Sequence, residues 1–173
     1  GGTLSGAVAI DGGADSDTIT GDTTGNVFVV TGADAGTLDT QAFESVENLA
    51  GNSGVDTFTL DQRLSGNVSG GGDADTLTLN AGGSIGGTVM LEAGADVVLL
   101  AANTSIDGAL DTGADDDQIT LNTGVVIGGG TSGGAGRDAF LISGSVTSAL
   151  LGGSEDDTFT LAAGASLTGA IDG

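Results

Sequence analysis

The sequence predicts an all-β protein, a parallel β-solenoid with about 20 residues per coil in eight or nine coils. Three observations support this fold class. An acidic phrase recurs about every 20 residues. Apolar and polar residues alternate within short runs, as in β-strands, and no helical period of 3.6 residues is present. Glycine provides 35 of the 173 residues, and this abundance disfavours helices.

The first repeated anchor is an aspartate followed by a short alternating run. It occurs as DTIT at Asp17, DTFTL at Asp56, DTLTL at Asp75, DVVLL at Asp96, DQITL at Asp117, DAFLI at Asp138 and DTFTL at Asp157. From Asp56 onward, successive anchors are 19 or 21 residues apart. The gap of 39 residues between Asp17 and Asp56 predicts one degenerate unit between them.

The second anchor has an apolar residue, a central small residue and a second apolar residue at alternate positions. Its copies are LSGAV at Leu4, LSGNV at Leu64, IGGTV at Ile85, IDGAL at Ile106, IGGGT at Ile127, VTSAL at Val146 and LTGAI at Leu167. From Leu64 to Val146, every copy precedes the next aspartate by the same constant spacing. The unit is therefore predicted to hold two short strands and two glycine-rich turns. Units stack about 4.8 Å apart, and parallel crossovers favour a right-handed coil.

Strand alternation places the anchor aspartate on the inward face. In DTFTL, Asp56, Phe58 and Leu60 share that face, while Thr57 and Thr59 point outward. Equivalent carboxylates of neighbouring coils then lie about one strand spacing apart. At that distance they repel by about 1 kcal/mol in water and by about 3–4 kcal/mol at an effective dielectric near 20. Either a cation lies among them, or each aspartate caps its own turn through backbone N–H groups.

Residues 1–173 are predicted to form a single repeat array with an irregular coil or loop at about residues 21–50. Within that region, NVFVV at Asn26 is typical of a strand, and TGADAGTLDTQAFE has no repeat partner. Both ends fall within a repeat, so we expect a fragment of a longer solenoid or a subunit that meets flanking repeats.

Charge and composition exclude several classes of function. The chain has 24 acidic residues, two arginines and a formal net charge of −22, which disfavours nucleic acid and anionic membranes as partners. No run approaches the 18 apolar residues of a membrane span, so no membrane insertion is expected. Histidine, cysteine and tyrosine are absent, and there is no lysine. We expect no catalytic residues, no organic cofactor and no enzyme activity.

The phrase GGAGRDAFL from Gly133 fits the nine-residue pattern G-G-x-G-x-D-x-U-x, where U is a large apolar residue. It resembles the RTX repeats of the haemolysin-type calcium-binding family and the repeat regions of large bacterial adhesins and biofilm-matrix exoproteins. The resemblance implies a β-roll-like solenoid in which turn carbonyls and the motif aspartate bind Ca²⁺. Acidic residues two positions before the anchor would add carboxylates. The predicted metal ligands, for several ions along one edge, are Asp15, Asp17, Asp56, Asp73, Asp75, Asp96, Asp115, Asp117, Asp138, Glu155 and Asp157.

The sequence thus favours an extracellular or cell-surface structural and adhesive segment, a calcium-stabilised rod in a surface layer, fibre or biofilm matrix. Expected partners are other copies, end to end or side by side, flanking repeats, and surface or matrix glycans. An alternative is a solenoid ligand-binding module, which would bind ice through its outward threonines or would bind glycans, and a polysaccharide-modifying β-helix enzyme is a weaker one. The threonine rows contain Thr18, Thr20, Thr57, Thr59, Thr76, Thr78, Thr120, Thr158 and Thr160, and they are interrupted at Val97/Leu99 and Ala139/Leu141.

Overall fold

The computed structural model describes residues 9–173, which contain strands, turns and no helix. The LSGAV copy at Leu4 lies outside these residues. The first six strands are β1 (Ile10–Asp11), β2 (Thr18–Thr20), β3 (Val27–Gly32), β4 (Ala35–Leu38), β5 (Gln41–Glu44) and β6 (Asn48–Asn52).

From Thr57 onward the chain repeats one three-strand pattern. The strands are β7 (Thr57–Leu60), β8 (Arg63–Leu64), β9 (Val68–Gly72), β10 (Thr76–Leu79), β11 (Ser84–Ile85), β12 (Val89–Ala93), β13 (Val97–Leu100), β14 (Ser105–Ile106), β15 (Leu110–Ala114), β16 (Gln118–Leu121), β17 (Val126–Ile127), β18 (Thr131–Ala135), β19 (Ala139–Ile142), β20 (Ser145–Val146), β21 (Leu150–Ser154), β22 (Thr158–Leu161), β23 (Ser166–Leu167) and β24 (Ile171–Asp172).

From Thr57 onward, each coil contributes one strand to each of three faces, and the strands of each face pair in parallel. Sheet A has the order β1-β5-β4-β3-β7-β10-β13-β16-β19-β22, and sheet B has the order β2-β6-β9-β12-β15-β18-β21-β24. Sheet C joins β8, β11, β14 and β17, and the pair β20-β23 follows at the same corner. The prediction of two strands per unit is wrong. The second anchor bends at its small residues, so its first apolar residue lies on sheet C and its second on sheet B.

The stack is in register from one coil to the next. Thr76 pairs with Thr57 on one side and with Val97 on the other, and the same pairing continues to Thr158 at β22. One turn takes about 21 residues, the separation of Asp75 from Asp96 and of Asp96 from Asp117. The structure is a parallel β-solenoid of about six regular turns, from β7 to β24. The predicted eight or nine coils overcount, because much of the chain before Thr57 does not form regular turns.

An antiparallel meander occupies Val27 to Glu44. Strand β3 pairs in parallel with β7 but antiparallel with β4, and β4 pairs antiparallel with β5. Sheet A therefore gains strands at this end that sheet B does not have, since β2 pairs directly with β6. This meander lies inside residues 21–50, where the sequence does not show the repeat.

The core is a thin aliphatic column with two pairs of stacked rings. Phe28 stacks on Phe58 with ring centroids 4.8 Å apart, and Phe140 stacks on Phe159 at 4.6 Å. The predicted inward orientation is confirmed at Asp56, because Asp56, Phe58 and Leu60 are all fully buried. No helix in the described part of the chain is long and apolar enough to span a membrane.

Candidate functional site

The candidate site is the edge where each sheet B strand turns into the next sheet A strand. The anchor aspartate is the last residue of this turn, immediately before the sheet A strand. In successive coils these residues lie over one another and form a column that we call the aspartate ladder. Its members are Asp56, Asp75, Asp96, Asp117, Asp138 and Asp157.

Hydrogen bonds along the ladder join each coil to the next. The backbone N–H of Asp75 donates to Oδ1 of Asp96 at 2.6 Å, and the N–H of Asp96 donates to Oδ1 of Asp117 at 2.8 Å. The same bond links every neighbouring pair of the ladder. Each carboxylate therefore accepts an N–H of the preceding coil instead of one from its own turn, and this hydrogen bond joins the two coils.

The second carboxylate oxygen of each ladder residue is buried and has no hydrogen-bond partner. This holds for Oδ2 of all six ladder aspartates. The five ladder aspartates from Asp56 to Asp138 are each at most 1% exposed. A buried carboxylate oxygen without a partner destabilises the ionised form, so the ladder favours a bound proton or cation.

Burial raises the pKa values of the five ladder carboxyls from Asp56 to Asp138 above their ordinary value of 3.8. The pKa of Asp96 is raised to about 7, and those of Asp75 and Asp117 to about 6. Loss of water on burial is the largest cause, and the neighbouring ladder carboxylates add repulsion in the same direction. The pKa values of Asp56 and Asp138 are also raised, again chiefly by burial.

Glycines around the ladder are required by close approach of the backbone. At Gly133, which precedes Asp138 in the same turn, an added Cβ would overlap the Asp138 Oδ2 atom. Gly134 and Gly136 have φ of 106° and 136°, and a Cβ at either would overlap a carbonyl oxygen of the preceding coil. These contacts explain the glycines of GGAGRD on steric grounds alone.

Replacing Gly133 with alanine should therefore destabilise the protein by about 1–3 kcal/mol, because the new methyl group displaces Asp138 from its inter-coil bond. The matched control is Gly72→Ala, since a methyl group there meets no atom and the φ of Gly72 is not left-handed. Urea denaturation followed by circular dichroism measures both variants. Equal effects of the two substitutions would contradict the close contact.

The other predicted ligands are not members of the ladder, but Asp73, Asp115 and Glu155 are close enough to raise the pKa values of ladder carboxyls by repulsion. Asp73, Asp115 and Glu155 are exposed on the turns from sheet B to sheet A, whereas Asp15 is exposed on the turn from β1 of sheet A to β2 of sheet B. All four have left-handed φ values between 68° and 83°. Aligning Asp17 with the later anchors is wrong, because it leads into β2, which belongs to sheet B and pairs with β6. Its backbone N–H donates to a Glu47 carboxylate oxygen at 2.8 Å.

Sequence reasoning missed the residue that begins the ladder column, Asn26. Its backbone N–H donates to Oδ1 of Asp56 at 2.6 Å, and its side-chain N–H donates to Asp39 at 3.2 Å. Asn26 immediately precedes a strand, as each anchor aspartate does. The amide in place of a carboxylate, and a separation from Asp56 longer than one turn, hid this equivalence.

The donor set of this edge is compatible with a hard cation such as Ca²⁺. The ladder offers one buried, unpartnered carboxylate oxygen per coil, and Ca²⁺ accepts carboxylate, carbonyl and water oxygens. Within residues 9–173, no three acidic side chains converge closely enough to share an ion. An ion here would draw on the carboxylates of two successive coils, with turn carbonyls and water completing its shell.

A second surface differs from the acidic edge by having no charge. We call the outward side of β10, β13, β16, β19 and β22 the neutral face. It consists of Thr76, Thr78, Val97, Leu99, Gln118, Thr120, Ala139, Leu141, Thr158 and Thr160. All 24 acidic side chains of the sequence belong to other positions.

The fold and the ladder define the chain as a parallel β-solenoid repeat protein whose coils are joined by buried aspartates. In the comparisons with known proteins, no protein family matches the chain, and neither a curated protein nor a solved structure gives a significant match.

Proposed function

We propose that the chain is a structural and adhesive repeat segment of an RTX-like bacterial exoprotein, located outside the cell or at its surface. Its role is to act as a stiff spacer in a surface layer, fibre or biofilm matrix, and to associate with other copies, flanking repeats or glycans. The observation that carries this proposal is the aspartate ladder, which bonds every regular coil to the next. Catalysis is not part of the proposal.

Mechanical stiffness follows from the way the coils are joined. Each coil adds backbone bonds in sheets A and B, a buried apolar layer and one ladder bond. Contacts reach only neighbouring coils, so stability grows with the number of coils and the rod can extend by repetition. The charge of −22 keeps the surface hydrated and strongly acidic.

Calcium is the proposed stabilising ion. It would neutralise the ladder carboxylates of two successive coils, such as Asp75 and Asp96, and replace the water that they lose on folding. Because the unfolded chain holds no such arrangement, binding would add its free energy to folding. Calcium-poor conditions would favour the open chain, and millimolar calcium would favour the stacked coils.

A circular-dichroism melt in about 5 mM calcium and then in excess chelator tests this proposal. We expect a rise in melting temperature of about 5 °C or more with calcium, since a ligand at 100 times its Kd contributes about 2.7 kcal/mol. Magnesium at the same concentration controls for screening of charge. The same melting temperature in chelator, calcium and magnesium would reject stabilisation by calcium, but it would not contradict the solenoid fold.

The second candidate is a solenoid that binds ice or glycans. The outward threonines of the neutral face favour ice binding, because they are uncharged and lie in register on parallel strands with a regular spacing. Thermal hysteresis measures the first activity, and a glycan pull-down measures the second. A spacer gives neither, so a positive result in either assay would replace the structural role with a ligand-binding one.

A further inference from the structure

The neutral face is a surface on which two copies can meet without bringing carboxylates together. Valine, leucine and alanine interrupt its threonine rows, and the side chains of Leu99 and Leu141 are 42% and 40% exposed. On sheet B, by contrast, Glu92 and Asp111 are exposed, so two copies that met there would bring carboxylates together.

Between β10 and β22 the order of outward residues on the neutral face is nearly symmetric, and Thr57 and Thr59 of β7 continue the face one strand beyond this range. From β10 to β22 its outward pairs are Thr-Thr, Val-Leu, Gln-Thr, Ala-Leu and Thr-Thr. Counted outward from β16, β13 and β19 carry Val-Leu and Ala-Leu, and β10 and β22 both carry Thr-Thr. The two halves therefore differ only where Val97 corresponds to Ala139. A two-fold interface needs such a surface, because each residue must fit its symmetry mate.

We propose that two copies of this chain pack neutral face against neutral face, antiparallel, about a two-fold axis at β16. Leu99 then lies opposite Leu141 of the partner subunit, and Thr78 lies opposite Thr160 of the partner subunit. The inference rests on the proposed self-association and names the surface that carries it. The two sheets would lie about 10 Å apart, the usual distance between packed sheets.

The pair should be weak for a segment of this length. Five strands of four residues present about 300 Å² per copy, from the strand spacing and the rise per residue. Stable complexes bury roughly 800 Å² per partner. We therefore expect dimers only at high protein concentration. Salt should strengthen them, because it screens the repulsion between two acidic rods.

Sedimentation velocity at about 0.5 M salt tests the surface with a matched pair of double variants. Leu99→Glu with Leu141→Glu adds two charges to the neutral face and should abolish the dimer. Met90→Glu with Leu151→Glu adds the same charge on sheet B, where these side chains are 48% and 45% exposed, and should leave it. Circular dichroism checks that both variants keep the wild-type fold.

Cross-linking tests the antiparallel register, because the chain contains no cysteine. A mixture of Thr78→Cys and Thr160→Cys proteins should cross-link with a bismaleimide of about 10 Å, close to the sheet separation. Either protein alone should not, since its two cysteines would be about four strand spacings apart along the rods. Ser132→Cys, on sheet B, is the negative control.

Several outcomes would overturn the inference. They are a wild-type protein that stays monomeric at millimolar concentration in high salt, equal loss of dimer in both double variants, or cross-linking of Thr78→Cys with itself. Thermal hysteresis that the Leu99/Leu141 variant abolishes would instead assign the face to ice. If the calcium response and the rod persist while this interface fails, only the interface is rejected.

Discussion

Lowering the pH from about 8 to about 5 in the presence of chelator should raise the melting temperature. In the folded protein the pKa of Asp96 is about 7 and those of Asp75 and Asp117 are about 6, against 3.8 for an ordinary aspartate. Between these values the folded state binds protons that the unfolded chain does not. The free energy of unfolding therefore rises as pH falls through 7 and 6, and it levels off below about 4.

The expected rise in melting temperature is about 5 °C or more, because 1 kcal/mol shifts a chain of this size by about 2–4 °C. Thermal melts at low protein concentration, in buffers of equal ionic strength, measure it. Many proteins lose stability over this range because their paired carboxylates become protonated. A melting temperature that falls between pH 7 and pH 5 would show that the ladder is held as carboxylates.

Replacing Asp96 with asparagine should stabilise the protein at pH 8 by about 1–2 kcal/mol in chelator, because a buried amide costs less than a buried, unpartnered carboxylate. The asparagine oxygen can still accept the Asp75 N–H, and Asn26 already occupies the equivalent position at the start of the column. At pH 5 the advantage should disappear, since Asp96 is then protonated.

The matched control is Asp111→Asn, which removes the same charge from an exposed position on sheet B. Urea denaturation of both variants separates the ladder from a general reduction in repulsion. Repeating it in calcium separates the two ways of neutralising the ladder, because Asp96→Asn should reduce any stabilisation by calcium. If both variants gain stability equally at pH 8, burial of Asp96 is not the cause.

The fold class and the core parity could be predicted from the sequence because both depend on local alternation repeated at a fixed period. Phe58 and Leu60 alternate with threonines, and the next coil repeats the pattern at Leu77 and Leu79. Each residue lies over the equivalent residue of the next coil, so residues one period apart in the sequence are neighbours in the structure. The alignment of strands in successive coils could be predicted from the same repeat period.

The number of strands and coils could not be predicted in the same way. The bend within each second anchor is set by small residues packed against the preceding coil, as at Gly66 and Gly87, and sequence alternation continues across it. The antiparallel meander forms where the period is absent, so its pairing depends on tertiary contacts. Asp17 carries the anchor phrase but pairs in sheet B, which a local motif does not specify.

The ladder was predicted as a column, but its chemistry required the structure. Sequence parity places Asp96 inward and over Asp117. It does not show that Oδ1 accepts the N–H of the preceding coil, or that Oδ2 is enclosed without a partner. Both depend on the position of the backbone in the neighbouring coil. The resemblance of GGAGRD to a calcium motif is therefore matched by an independent steric reason for each glycine.

A residue-resolved NMR titration of the aspartate side-chain carboxyl carbons, in chelator, tests the buried ladder most directly. The account predicts that Asp75, Asp96 and Asp117 titrate near pH 6–7, with Asp96 the highest. Titration of these three carboxyls near pH 4, as in unfolded peptides, would show that they are exposed to water and that the coils are not joined through them.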